Sequence, residues 1–340
     1  MHFNCNPFVP QDDTQVNELM HLDQVSMIQS ALTSNPNLLT LPEGCSFGEV
    51  SLIDNRREIA EFINRNHGKA AWRRCINDDE LDYLTNANNV SFWGIRWKGV
   101  LVHIMSMELF DVVVYDKTYK AAYIDYNTIH PKFRKTGMHN IMTALVYQEA
   151  VKRGCVMEFF TTHTKLDCKE CTVKPSYIYP LTSVPYACRL TMNQPRDPFK
   201  INKRTLREIA ADDVKRLNNK KEFDVCLKYN DTMIDAMLRF YKIYTDGKCV
   251  LCFVPATSTI NNITVRYAIL VDWVNLSVGV FKEAVEELRN DGFDTISFTN
   301  EGELKDLLMN IPFEKKSDVY YYTLNILPKT RKGRNNLTVR

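Results

Sequence analysis

What the chain lacks narrows it first. No run of ~18 or more apolar residues occurs, so no segment reads as a transmembrane helix. Neither sign of charge is in excess. Lys and Arg number 43 against 41 Asp and Glu, a net charge of +2. That is too little for a field that gathers nucleic acid or an anionic membrane, and no nucleic-acid partner is expected. Glycine and proline are sparse, at 12 and 13 of 340 residues, which excludes a collagen-like repeat. Ten cysteines are few for a disulfide scaffold. The opening residues carry neither a basic n-region nor an apolar h-region, so no secretory signal is expected. The expectation is a cytoplasmic protein with reduced thiols. Apolar residues at 45% and charged residues at 25% then describe an ordinary globular chain, long enough for two domains.

The first fifty residues are polar and punctuated by Asn, Pro and Gly, and Asn6–Pro10 reads as an extended arm. Ile59, Phe62 and Ile63 share one face of a helix that opens at Asp54 and stops near Gly68. Residues 91–97 and 100–107 read as strands joined at Lys98-Gly99, followed by strands over 109–115 and 121–130. Met138, Ile141, Met142, Leu145 and Val146 have helical spacing, with Gly154 at the end and a strand over 155–160. The order recurs in a strand over 263–273, a helix through Phe281, Ala284, Val285 and Leu288, Gly292, and a strand over 293–298. Repetition of architecture without repetition of sequence argues for two similar α/β halves. The divide falls in the Pro-containing stretch 180–204, giving 1–182 and 183–340.

The most informative segment is Ile129-His-Pro-Lys-Phe-Arg134-Lys-Thr-Gly137-Met-His139, between a strand and a helix. Arg-x-x-Gly at that place exposes main-chain N–H groups at a helix start. Glycine there permits close approach of a pyrophosphate, and the helix dipole favours the anion. Lys132, Arg134 and Lys135 add charge. The segment is either a cradle for the pyrophosphate of coenzyme A or a basic surface loop that caps a helix.

From Tyr119 to Phe160 the chain resembles the glycylpeptide N-myristoyltransferase family. Tyr123-Ile124-Asp125-Tyr126-Asn127-Thr128-Ile129-His130-Pro131 stands where that family has Glu-Ile-Asn-Phe-Leu-Cys-Val-His-Lys. Phe160-Thr161-Thr162 is similar to its Tyr-Thr-Ala-Gly. Val114-Tyr115-Asp116-Lys117 resembles the end of the preceding strand pair. His2-Phe3-Asn4-Cys5-Asn6-Pro7 resembles its N-terminal arm. In the C-terminal half, Pro255–Ile260 and Tyr321-Tyr322-Thr323-Leu324-Asn325 resemble its Leu-Pro-Ser-Thr-Ile and closing Tyr-Tyr-Leu-Tyr-Asn.

The resemblance implies an α/β (α+β) fold of two GNAT-like halves related by a pseudo-twofold, a mixed sheet flanked by helices. It assigns acyl-CoA binding to 1–182, and the peptide site and C-terminal carboxylate to 183–340. The implied activity moves myristate from myristoyl-CoA, a co-substrate, to the N-terminal glycine amine of a peptide or protein. No permanently bound cofactor or metal is implied, and a monomer is expected. The implied catalytic set is the main-chain N–H groups of Tyr126 and Asn127 as oxyanion hole, the terminal carboxylate of Arg340 as base, Thr161 holding the amine, and Asp125 at the family's Asn. The implied acyl-CoA-binding set is His2, Phe3, Asn4, Lys132, Arg134, Lys135, Thr136, Gly137 and Met138. The chain departs from the family on the peptide side. Its Lys-Phe-Gly-x-Gly-Asp-Gly signature is absent around Asn310–Lys316, and residues 66–74 replace an acidic loop. Lys135-Thr136-Gly137 is closer to an ordinary GNAT cradle. Alternatives are therefore an acyl-CoA-binding or scaffold protein that has lost catalysis, and a short-chain GNAT acyltransferase.

Other motifs have plainer readings. Cys168-x-x-Cys171 and Cys249-x-x-Cys252 have zinc-like spacing. The second pair sits in an apolar strand, where positions i and i+3 face opposite sides, so buried thiols are expected. His130 is either catalytic or structural, with no visible carboxylate partner. Tyr320–Tyr322 read as a strand ladder, Asp79 and Glu80 as a helix start, and the basic run 329–334 as a solvated tail.

Overall fold

In the computed structural model the described residues are 40–68, 72–87, 89–114, 117–155, 157–162, 172–180, 205–218, 225–260, 262–298, 311, 314–324 and 335–336. In chain order they form β1 (Cys45–Val50), α1 (Arg56–Asn66), β2 (Trp72–Cys75), α2 (Asp78–Asn86), β3 (Val90–Trp97), β4 (Val100–Val114) and β5 (Lys117–Ile129). Then come α3 (Met138–Lys152), β6 (Met157–Thr162), β7 (Thr172–Pro180), α4 (Ala211–Lys215), β8 (Val225–Lys228) and α5 (Asp231–Phe240). The remainder are β9 (Lys242–Thr245), β10 (Val250–Ile260), β11 (Ile263–Val274), α6 (Val278–Asn290), β12 (Thr295–Phe298), β13 (Glu314–Leu324) and β14 (Asn335–Asn336). The fold is mixed α/β with helices flanking the sheets. Among the described residues no helix is long and apolar enough to cross a membrane.

Contacts divide the chain into two units, each drawn from separated stretches. The first takes described residues from 1–68, 89–173 and 320–334, and the second from 69–88, 174–319 and 335–340.

In the first unit β1, β3, β4 and β5 form an antiparallel run, and β6 lies parallel to β5. The β5–α3–β6 crossover supplies that parallel strand, since parallel neighbours cannot be joined by a hairpin. Met138, Met142, Val146 and Ala150 recur on one face of α3. They bury against Trp93, Ile95, Met105, Met107, Ala122 and Ile124. At the helix end Gly154, at φ 84°, allows Cys155 N–H to donate to Ala150 O at 3.0 Å, closing the helix as a left-handed residue does. The expected α1 buries Ile59, Phe62 and Ile63. The expected separate strands at 100–107 and 109–115 are a single strand, Val100–Val114. Ser106 and Glu108 have little strand propensity, but the ladder that runs from Ser106↔Asp125 to Val114↔Lys117 overrides it.

The second unit repeats the arrangement. β10 and β11 are antiparallel, α6 crosses over, and β12 lies parallel to β11. Phe281, Ala284, Val285 and Leu288 of α6 bury against Leu251, Phe253, Ala268 and Leu270. Gly292, at φ 79°, ends the helix, with Phe293 N–H donating to Leu288 O at 3.0 Å. Cys249 and Cys252 are buried and form no disulfide. They pack in different core clusters, Cys249 just before β10 and Cys252 within it. Asp78, Asp79 and Glu80 begin α2 behind an Asn77 cap.

Candidate functional site

The site is built where β5 leaves its neighbours. On the β4 side, Ser106 pairs with Asp125 and Ile104 with Thr128, so Met105 alone faces both Tyr126 and Asn127. This is a β-bulge with one extra residue on β5, a device that interrupts the ladder and re-aims the main chain. Tyr126 has φ 49°, a left-handed conformation costing a residue with a side chain roughly 1–3 kcal/mol. Its ring is buried against Phe92 at 5.8 Å, which holds it there. On the β6 side the parallel ladder ends at Tyr123↔Phe159, while β6 continues against β13 to Thr162↔Tyr320. The two parallel strands thus part just before the bulge. Thr161 lies two residues beyond the last rung, and its Oγ1 is 3.4 Å from Tyr123 Oη.

The loop after β5 is held from several sides. His130 N–H donates to Val102 O at 2.9 Å, and His130 Nδ1 accepts from Lys132 N–H at 3.3 Å. His130 caps a 3-10 turn over Pro131–Phe133, which is a structural role. Arg134 donates from Nε to Ile129 O at 3.3 Å and from Nη2 to Asn66 O at 2.8 Å. Its guanidinium therefore shapes the loop and ties it to the end of α1. Thr136 Oγ1 donates to Phe133 O at 2.7 Å.

Lys135 at φ 64° and Gly137 at φ 84° bracket Thr136 in left-handed conformations. Such alternation curves a main chain into a concavity of N–H groups. A Cβ built on Gly137 meets nothing within 4 Å, so the space above it is open. No side chain caps α3. Its counterpart α6 is capped by Ser277, whose Oγ accepts from Val280 N–H at 3.5 Å. The unit-two bulge differs in the same sense. Val271 is the extra residue on β11, and the neighbouring Asp272 carboxylate accepts from Trp273 N–H and from Tyr229 Oη, each at 2.8 Å. The second unit thus caps its helix start with a side chain, whereas no side chain caps the start of α3.

The sequence-based candidates sort accordingly. Asp125, Tyr126, Asn127, Lys132, Arg134, Lys135, Thr136, Gly137 and Met138 follow one another along the bulge, loop and helix start, with Thr161 bonded to the same strand through Tyr123. Met138 is buried in the core, so only its main chain can face a ligand. Lys132, Lys135, Thr136 and Gly137 are exposed. Arg340 and the arm residues His2, Phe3 and Asn4 lie outside the described residues, as do Cys168 and Cys171. Among the described residues no group of three or more His, Cys, Asp or Glu side chains is arranged to hold a metal.

Two residues were missed. His103 of β4 is fully buried, and its Nε2 lies 2.9 Å from Asn127 Oδ1. His139 in the first turn of α3 presents Nδ1 to Asn127 Nδ2 at 3.2 Å. Burial lowers both imidazoles below the usual histidine range, His103 to about 4, with the neighbouring His139 adding to the effect. Both are neutral at neutral pH. A histidine inside the apolar run Val-Leu-Val-His-Ile-Met was the available signal for the first.

Comparison with known proteins bears on the fold. The chain is similar to Saccharomyces cerevisiae N-myristoyltransferase solved with bound myristoyl-CoA. One such structure has a TM-score of 0.73 at 14% identity, covering 89% of this chain and 90% of the other. A second has a TM-score of 0.74 at 14% identity, covering 89% and 85%. A GCN5-related N-acetyltransferase from Anabaena variabilis aligns at a TM-score of 0.50 and 12% identity, covering 82% and 72%. No protein-family model and no curated protein sequence matches. The chain therefore shares its mixed α/β fold with these structures.

Proposed function

We propose that this protein is an N-acyltransferase that moves a myristoyl group from myristoyl-CoA to the N-terminal glycine amine of a peptide or protein. The observation that carries the reading is the bulge at Tyr126–Asn127, set where β5 and β6 part and followed by an uncapped, basic helix start. The 89% coverage by an N-myristoyltransferase fold supports the long-chain version.

In this reading the loop from Lys132 to Gly137 receives the CoA phosphates through main-chain N–H groups, with Lys132 and Lys135 adding charge. The thioester carbonyl lies against the main chain at Tyr126 and Asn127. The neutral glycine amine attacks the carbonyl carbon. A C–N bond forms, negative charge develops on the oxygen, and main-chain donors stabilise it. The C–S bond then breaks, and CoA leaves with the electron pair. The proton lost by the amine goes to a carboxylate base, assigned to the Arg340 terminus with Asp125 as a second candidate. Thr161 helps to hold the amine. No covalent enzyme intermediate forms, so both substrates must be bound together.

The test is transfer of labelled myristate from myristoyl-CoA to a panel of Gly-initiated peptides. Removing Arg340, or extending the chain past it, is expected to depress turnover far more than acyl-CoA affinity. Equal loss of both would contradict the terminal base. The Lys135-Thr136-Gly137 cradle favours a second reading, a short-chain transferase, in which acetyl-CoA outperforms myristoyl-CoA in the same assay. Tight myristoyl-CoA binding without transfer to any peptide would identify an acyl-CoA-binding protein instead.

A further inference from the structure

A bulged strand is a soft place on which to build an oxyanion site. The ladder is broken at Tyr126–Asn127, and Asn127 is exposed there. A carboxamide at such a position ordinarily rotates in water and leaves the local main chain loosely defined. Tyr126 also sits at φ 49°, a conformation that persists only where its surroundings over-determine it. Phe92 packs on the Tyr126 ring, but nothing in that contact fixes the next peptide.

The Asn127 side chain supplies the missing constraint. Its Oδ1 lies 2.9 Å from His103 Nε2 on β4, and its Nδ2 lies 3.2 Å from His139 Nδ1 on α3. Both ends of one carboxamide are therefore held by rings anchored in separate elements. Oδ1 can only accept and Nδ2 can only donate. His103 thus carries its proton on Nε2, and His139 presents Nδ1 as a lone pair. His103 Nδ1 is buried with no hydrogen-bond partner. With the proton on Nε2 that atom is a bare acceptor. The reversed amide would place an N–H donor there instead, and orphaned buried N–H groups are the rarer defect. The rings are 6.1 Å apart, too far for a direct bond, so the amide is the link between them.

We propose that His103 and His139 are positioning residues that clamp the Asn127 carboxamide from both ends and so hold the bulged main chain in the geometry the thioester oxygen requires. The clamp joins strand β4, the bulge of β5 and the first turn of α3, the three pieces that must keep register as acyl-CoA binds. Its catalytic consequence rests on the acyltransferase reading above; its existence does not.

Two measurements on the full-length protein separate these. In 15N-resolved imidazole spectra of the ligand-free protein, both histidines are expected to be neutral and protonated on Nε2, and Asn127→Ala is expected to shift both. A His103 ring protonated on Nδ1, or rings indifferent to Asn127→Ala, would overturn the clamp whether or not the protein is an enzyme. In the transfer assay, His103→Leu and Asn127→Leu are expected to lower kcat by about 100-fold, the scale of a small misplacement of reacting groups. The myristoyl-CoA Kd should stay within about two-fold, because the phosphates are held elsewhere. His103→Gln, which restores a donor, is expected to recover part of the loss. Unchanged kcat in the Leu variants, or kcat and Kd worsening together, would overturn the positioning role. A wild type that neither binds nor transfers acyl-CoA would remove the acyltransferase reading and leave the spectra to decide the clamp.

Discussion

Single buried groups set the pH response of this chain, and two of them pull in opposite directions. Glu158 on β6 is buried with Oε2 unpartnered, and burial pushes its carboxyl up to about 8. The unfolded chain releases this proton near 4.5, the folded chain only near 8. Stability therefore falls as pH rises through that window. Glu158→Gln is expected to raise Tm at pH 8, with the gain shrinking towards pH 4.5 in a calorimetric series. A gain that is constant with pH would contradict a neutral Glu158. His103 works the other way. The unfolded imidazole takes a proton near 6.5 and the folded one near 4, so stability falls as pH drops between those values. Gly137 tests the loop. Its φ of 84° and the open space above it mean that Gly137→Val adds strain and fills the cradle together. We expect myristoyl-CoA affinity to fall by about 10-fold, a loss of ~1.4 kcal/mol, as titration calorimetry would read it. Gly137 was legible because a basic loop ending in glycine before a helical repeat has a mechanical meaning. His103 was not, because nothing in a strand's alternation says which partner a buried polar side chain will find.

Elements were legible where periodicity carried them. The spacing of Ile59, Phe62 and Ile63, and that of Phe281, Ala284, Val285 and Leu288, gave helices that bury those faces. Strand ends were less legible, since the break expected near Glu108 is absent. The bulge was not legible at all, because one extra residue on β5 is a property of its pairing with β4 and leaves no mark on β5 alone. At this scale one carboxylate fixes a segment that belongs to no helix or strand. Glu283 of α6 is buried and accepts from Thr205 N–H at 2.9 and 2.7 Å, Thr205 Oγ1 at 2.7 Å and Leu206 N–H at 3.0 Å. Glu283→Ala leaves these donors without that acceptor. We expect a loss of about 3 kcal/mol, since hydrogen bonds to charged groups contribute ~1.5–3 kcal/mol each and partial rehydration offsets some of it. Denaturant unfolding measures it, and a loss below about 1 kcal/mol would mean the segment is held by other contacts.

For the whole molecule, the doubled strand–helix–strand order was readable from two glycines and two apolar repeats. Its meaning came from the difference between the copies. One unit leaves a helix start without a side-chain cap, whereas the other caps the equivalent helix with Ser277. That described residues within 69–88 belong to the second unit and those within 320–334 to the first had no signature in composition, because it depends on contacts made only in the folded chain. The proposed function requires the first unit to receive an acyl thioester and pass its acyl group to an amine. The most direct measurement is mass spectrometry of a Gly-initiated peptide incubated with the full-length protein and myristoyl-CoA, beside the same peptide blocked at its amine. The predicted result is one myristoyl group on the free glycine amine and none on the blocked peptide. An unmodified free peptide at saturating acyl-CoA, or equal acylation of both peptides, would contradict it.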